Sequence, residues 1–234
     1  MADSVEYRWS PNQRLYRITR KLFTPLVKGY FRAHWSGIEH IPARGAVMLA
    51  CNHLSNLDPV LLAAACPRQI SYLAKIELFR IPVLGGLIRR YGTIPLRRSA
   101  SDPEALRLAE QVLEQQQLLA LFPEGTRSRD GRLKPFRFGA ARLALKYQVP
   151  LVPAAIIGTD HAMPSGAKVP RRVPVRIAFG PPIDPAPFSY NYPNETPKAS
   201  LLEAATTLLQ AEVQRLKTQL EQANSLRAAQ NMQL

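Results

Sequence analysis

Short apolar runs alternate with helix-patterned segments along most of this chain, and that alternation restricts its fold more than any other feature. "AVMLACN" (46–52) reads as a first buried strand. "DPVLLAAAC" (58–66) reads as a helix with Asp58 as cap and Pro59 in its first turn. "QISYLAK" (69–75) and "YGTIPL" (91–96) are further strands. "PEALRLAEQVLEQQQ" (103–117) is a helix that Asp102 or Ser101 caps, with the strand "LLALF" (118–122) behind it. After a loop over 123–139 come a helix "AARLALKYQ" (140–148), the strand "VPLVPAAIIG" (149–158) and a shorter strand "VPVRIAFG" (173–180). Strands that alternate with helices fold as an α/β unit. The expectation is a single domain with a mixed, partly parallel sheet flanked by helices.

Both ends carry helical patterns outside this alternation. Within 14–35, Leu15, Ile18, Leu22, Leu26 and Tyr30 recur at helical spacing, and Phe23 and Val27 widen the stripe. Arg14, Arg17, Arg20, Lys21, Lys28 and Arg32 form its cationic side, and Tyr30 and Trp35 suit a lipid–water boundary. Pro25 is expected to kink this segment or to divide it. The stripe can pack on the protein's own core or lie on a membrane. We expect an N-terminal amphipathic, membrane-associating helical segment (1–36), a central α/β domain (37–197) and a C-terminal helix and tail (198–234). The last helix should dock through Leu202, Ala205, Leu209, Val213, Leu216 and Leu220, with the Gln- and Asn-rich residues beyond Leu220 fraying. "PPIDPAPFSYNYPNETP" (181–197) reads as a surface loop.

Charge narrows the partners. Lys plus Arg number 31 against 17 Asp plus Glu, a formal net charge of +14. That balance attracts an anion: nucleic acid, a lipid head-group surface or a phosphorylated substrate. The basic residues follow no nucleic-acid-binding motif. Cys51 and Cys66 sit in apolar runs and read as small buried hydrophobes in a reducing compartment. The N-terminus lacks a signal-peptide layout, and no run reaches the roughly 18–20 apolar residues of a membrane span.

Two constellations can carry chemistry. In "CNHLSNLDPV" (51–60), His53 ends a strand and Asp58 opens the next helix, so the turn between them can return the carboxylate to the imidazole. An aspartate on one ring nitrogen fixes the tautomer and lets the other act as a general base. The alternative is an aspartate that only caps its helix; a metal site lacks a third ligand at useful spacing. In "FPEGTRS" (122–128), Gly125 permits a tight turn and Arg127 offers a planar fork suited to phosphate oxygens. Lys75 closes one strand, and Arg97 and Arg98 follow another.

These blocks, in this order, resemble the glycerolipid acyltransferases typified by 1-acylglycerol-3-phosphate acyltransferase. H-x4-D (His53, Asp58) and F-P-E-G-T-R-S carry the resemblance, with "GTIPLRR" (92–98) and "VPLVPAAIIG" (149–158), over roughly residues 36–180. One departure is Arg97, where the family has an acidic residue; Arg98 is the better match to its arginine. The resemblance implies that His53, oriented by Asp58, deprotonates the free hydroxyl of a lysophospholipid, which attacks an acyl thioester. It implies that Arg127, Lys75 and Arg98 hold the acceptor phosphate, that Glu124, Gly125 and Thr126 shape that site, and that Pro153 walls the acyl chain. The expected partners are lysophosphatidic acid, an acyl-CoA or acyl carrier protein donor, and an anionic membrane surface met from the cytoplasmic face. No metal or further cofactor is expected. Acylation of another lysolipid, or of an unphosphorylated alcohol or amine, is the alternative within the class.

Overall fold

The computed structural model describes residues 7–97, 102–188 and 198–231. Among these, seven strands form one sheet: β1 (His34–Ser36), β2 (Val47–Cys51), β3 (Ile70–Lys75), β4 (Ile94–Leu96), β5 (Leu118–Leu121), β6 (Leu151–Ile157) and β7 (Arg176–Phe179). Their spatial order is β1-β7-β6-β2-β5-β3-β4. Every neighbouring pair is parallel except β6–β7, so the sheet is mixed, as the alternation predicts. The helices are α1 (Gln13–Tyr30), α2 (Asp58–Ala65), α3 (Leu84–Arg90), α4 (Pro103–Glu114), α5 (Gly139–Tyr147), the short α6 (Thr159–Ala162) and α7 (Ala199–Asn231).

β2 is apolar throughout because it lies mid-sheet with both faces covered. Met48 and Ala50 pack with Leu108 and Val112 of α4, Leu143 of α5, and Leu209 and Val213 of α7. Val47, Leu49 and Cys51 pack on the other face with Leu61 and Leu62 of α2 and Val27 of α1. Each fully buried Leu, Val or Met contributes about 1.5–3 kcal/mol relative to exposure. The chain leaves β2 through α2 along one face, towards β3. It leaves β5 through α5 along the other, towards β6 on the far side of β2. Where connections diverge like this, a crevice opens beyond the carboxyl ends of the two strands. That switch point lies between β2 and β5.

Several expectations are corrected. The N-terminal helix ends at Tyr30 rather than continuing through Trp35. Arg32 turns the chain with a φ of 42°, and the His34 N–H donates to the Val175 carbonyl at 3.1 Å, so 34–36 become edge strand β1. Pro25 lies inside α1 without dividing it. Asp58 is not a helix cap: the residue at that position is Leu57, and no side chain caps α2. α7 carries Ala205, Leu209, Val213 and Leu216 buried, as expected, but stays helical to Asn231 instead of fraying after Leu220. Asp102 does cap α4, accepting the Ala105 N–H at 3.2 Å. Arg98 and Ser101 lie outside the described residues, as does most of the loop read over 181–197. Cys51 and Cys66 are both free and buried; burial pushes the Cys66 thiol up to about 11 and holds that of Cys51 well above its ordinary value.

Candidate active site

The end of β2 is fixed before its histidine begins. The Asn52 side chain donates from Nδ2 to the Ile156 carbonyl at 2.9 Å and accepts the Ile156 N–H at 2.8 Å. The amide thus extends the β2–β6 pairing by one rung. His53 follows, and the loop after β5 grips its backbone on both sides. Its N–H donates to Glu124 Oε1 at 2.7 Å, and its carbonyl accepts the Ser128 N–H at 2.7 Å. The imidazole stacks on Phe122, ring centroids 4.1 Å apart and planes 19° from parallel.

Asp58 reaches back across the turn to this ring. Its Oδ2 lies 2.7 Å from His53 Nδ1 and accepts the N–H groups of Leu54 and Ser55, each at 2.7 Å. The carboxylate is fully buried, whereas the histidine side chain keeps 18% exposure. Three hydrogen bonds to a charged acceptor offset the desolvation of that carboxylate. A carboxylate only accepts, so Nδ1 carries the ring hydrogen and Nε2 keeps its lone pair. Among the described residues nothing bonds Nε2. This is the arrangement of a general base.

Glu124 is buried and spans the loop, accepting the His53 N–H through Oε1 and the Lys134 N–H through Oε2 at 3.1 Å. Burial pushes its carboxyl up, and the two backbone donors pull it partly back. Gly125 has a φ of 70°, the left-handed region that favours glycine, and a Cβ there would also displace the Arg137 side chain, whose Nε lies 2.8 Å from its position. Thr126 is exposed and Arg127 half-buried. Lys134 Nζ donates to Thr126 Oγ1 at 3.3 Å and to the Arg127 carbonyl at 2.8 Å, bracing the loop from inside. Gln210 of α7 holds the loop's far end, accepting the Phe136 N–H at 2.8 Å.

The structure therefore joins His53, Asp58 and Glu124 directly, with Gly125 forming the turn beside them. Lys75 ends β3, exposed, at the same carboxyl edge of the sheet. Neither Lys75 nor the Arg127 guanidinium has an ion-pair partner among the described residues. Pro153 is not brought to the site. It is buried in β6 in the alternation of Leu151 and Ala155, which face α4, α5 and α7, while His53 stacks on the opposite side with Phe122. Asn52, Phe122, Ser128 and Lys134 carry weight that the sequence reading did not assign. Asn52 adjoins the histidine and Phe122 opens the second motif; for Lys134 no sequence signal exists.

The fold and this pair of strand-end motifs define the class. The acyltransferase family model matches residues 32–157, more than half the chain, and the chain belongs to the acyltransferase family. Among curated proteins it is 28% identical over 185 residues to the 1-acyl-sn-glycerol-3-phosphate acyltransferase of Bacillus subtilis, covering 79% of this chain and 87% of that one. It is 30% identical over 160 residues to a chloroplastic 1-acyl-sn-glycerol-3-phosphate acyltransferase of Brassica napus, covering 67% of this chain but only 46% of the longer plant protein. The crystal structure of the 1-acyl-sn-glycerophosphate acyltransferase PlsC from Thermotoga maritima is similar with a TM-score of 0.66 at 26% identity, over 86% of this chain and 82% of that one. The relatives that the chain is similar to thus carry the name of lysophosphatidic acid acyltransferases, and it spans about half the length of the plant proteins among them.

Proposed function

We propose that this protein transfers an acyl group from a thioester, acyl-CoA or acyl carrier protein, to the free glycerol hydroxyl of 1-acyl-sn-glycerol-3-phosphate, giving phosphatidic acid. The observation that carries the reading is the 2.7 Å bond from His53 Nδ1 to a buried Asp58 carboxylate that two backbone N–H groups hold in place. With the ring hydrogen on Nδ1, Nε2 accepts the proton of the acceptor hydroxyl as its oxygen bonds to the thioester carbonyl carbon. The tetrahedral intermediate then expels the thiolate, which takes the proton back from the imidazolium. No acyl-enzyme is required. Arg127 and Lys75, with Arg98, hold the acceptor phosphate as its electrostatic partners.

A lipid acceptor has to be met at a surface. No helix among the described residues is long and apolar enough to cross a membrane. α1 turns Tyr16 and Val27 inward and leaves Ile18, Leu22, Phe23 and Leu26 exposed at 52%, 68%, 51% and 66%. That face, with Arg14, Arg17 and Lys21 beside it, suits contact with an anionic bilayer from the cytoplasmic side.

The test is purified protein with acyl-CoA and a panel of lysolipids, products read by mass. The parent is expected to form phosphatidic acid, and His53→Ala to lose thiol release at least about 10²-fold with unchanged far-UV circular dichroism. Equal turnover by a folded His53→Ala protein would remove His53 as the base.

A further inference from the structure

The connection from β3 to β4 places apolar side chains in water where the protein gains nothing from them. A 3₁₀ turn (Ile76–Arg80) leads into α3, and along this hairpin Leu78, Ile81, Val83, Leu84 and Leu87 are exposed at 39%, 46%, 88%, 37% and 37%. Val83, at the tip, has a φ of 66°. A β-branched residue in that region is strained by about 1–3 kcal/mol. The hairpin is nevertheless firmly built. A Cβ on Gly85 would lie 2.2 Å from the Phe79 carbonyl oxygen, so the two arms meet backbone to backbone. Phe79 is buried edge-on against Tyr7, and the Arg89 guanidinium lies over both rings at 5.3 and 5.6 Å.

We propose that this hairpin is a second lipid-contacting element, which seats the active-site edge of the sheet on an anionic membrane; the inference rests on the reading of the acceptor as a membrane lipid. Three observations select a lipid surface as the occupant. Residues 75–97 carry five cations (Lys75, Arg80, Arg89, Arg90 and Arg97) against one acid, Glu77. Arg80 at the end of the 3₁₀ turn and Arg89 and Arg90 at the end of α3 are exposed on the two arms that flank the apolar tip, the pattern of an element that inserts while its flanks meet head-group phosphates. Second, the hairpin is joined to α1. The Asn12 N–H donates to the Arg90 carbonyl at 2.7 Å, the Tyr91 hydroxyl to Thr19 Oγ1 at 2.6 Å, and the Tyr16 and Tyr91 rings meet edge to face at 5.5 Å. The two exposed apolar elements are therefore parts of one rigid assembly. Third, the hairpin springs from the carboxyl end of β3, the edge at which β2 and β5 deliver His53 and Glu124. A lipid acceptor held at that edge faces the base without leaving the bilayer surface.

Vesicle co-sedimentation with the full chain tests this, using vesicles of mixed phosphatidylcholine and phosphatidylglycerol. Val83→Asp alters a side chain that is almost wholly in water, and unchanged far-UV circular dichroism checks that the fold is retained. Its partition is expected to fall at least about tenfold, comparably to Leu26→Asp on α1, while turnover of a short-chain, monomeric lysophospholipid without vesicles matches the parent. Tryptophan placed by Val83→Trp should shift to the blue on vesicles and be quenched by brominated acyl chains. Parental partition by Val83→Asp alongside loss in Leu26→Asp would overturn the proposal and leave α1 as the contact. So would an unquenched Val83→Trp, or a self-association that Val83→Asp abolishes without touching vesicle binding. Absence of acyl transfer in the parent would instead sink the acyltransferase reading, since vesicle partition is measured without substrate.

Discussion

Asparagine and alanine at position 58 should separate the two services that Asp58 performs for His53. Its Oδ2 accepts three N–H groups at 2.7 Å, while the buried Oδ1 has no partner among the described residues. An asparagine side chain can set its oxygen in the Oδ2 position and keep all three bonds, its NH2 taking the place of the orphaned oxygen. The Nδ1–H tautomer then survives, and only the charge is lost. With the partners at hydrogen-bond distance, the centres of imidazolium and carboxylate lie about 4 Å apart, an interaction of roughly 4 kcal/mol at an effective dielectric of about 20. That energy acts only once the ring is protonated, so losing it should slow acyl transfer by about 10³-fold. Folding should suffer less, by about 1–3 kcal/mol, as charge-assisted bonds become neutral ones. Alanine leaves two buried backbone N–H groups unpaired and the ring unanchored, and should cost about 2–4 kcal/mol of stability. The assay is thiol release from acyl-CoA in the presence of lysophosphatidic acid, paired with urea unfolding followed by tryptophan fluorescence. Parental turnover in a folded Asp58→Asn protein would refute the reasoning, because the charge would then have no part in the barrier.

Arg127→Ala should raise KM for lysophosphatidic acid by about tenfold or more, a charge-assisted contact being worth about 1.5–3 kcal/mol, with kcat little changed; unaltered acceptor kinetics would take it out of the phosphate site. Burial holds the Glu124 carboxyl above its ordinary value, so the folded protein binds that proton more tightly than the unfolded chain does. The stability this contributes is complete below the unfolded value and declines as pH rises through the raised, folded one. Glu124→Gln should flatten that part of the profile. It should also cost about 1–3 kcal/mol at neutral pH, since the amide accepts from His53 but meets the Lys134 N–H with a donor; urea midpoints across pH decide, and a parental profile in the variant would contradict it.

The strands were legible because apolar runs in mid-sheet leave little else for a segment such as Val47–Cys51 to become. β1 was not: three residues, His34–Ser36, carry no period, and their partner β7 lies some 140 positions downstream. Pro153 was misplaced for a related reason. β6 is buried on both faces, so its sequence shows no alternation to say which residues face which side. Asp58 was legible as a partner of His53 through the five-residue spacing, but a helix opening on Asp-Pro equally invites a cap. Only the path of the turn, which carries the Leu54 and Ser55 N–H groups to the carboxylate, decides between them. Lys134 acts through its backbone N–H, bonded to a carboxylate ten residues back, and through its ammonium, bonded to carbonyl and hydroxyl oxygens seven and eight residues back, which no spacing rule encodes.

The double grip on the His53 backbone, Glu124 on its N–H and the Ser128 N–H on its carbonyl, sets which parts of the chain can vary in length. Beyond Asp58, whose carboxylate holds the ring, the connections that run out through α2, α3 and α4 can grow or shrink without moving the histidine, because its backbone is registered against the second motif. Within Phe122–Ser128 the tolerance is nil: a single inserted residue leaves one hand of the clasp closed on nothing. Whoever transplants this centre onto another sheet must therefore carry two adjacent strand ends as a matched pair, together with the turn from His53 to Asp58, and is at liberty to redesign the rest of what joins them.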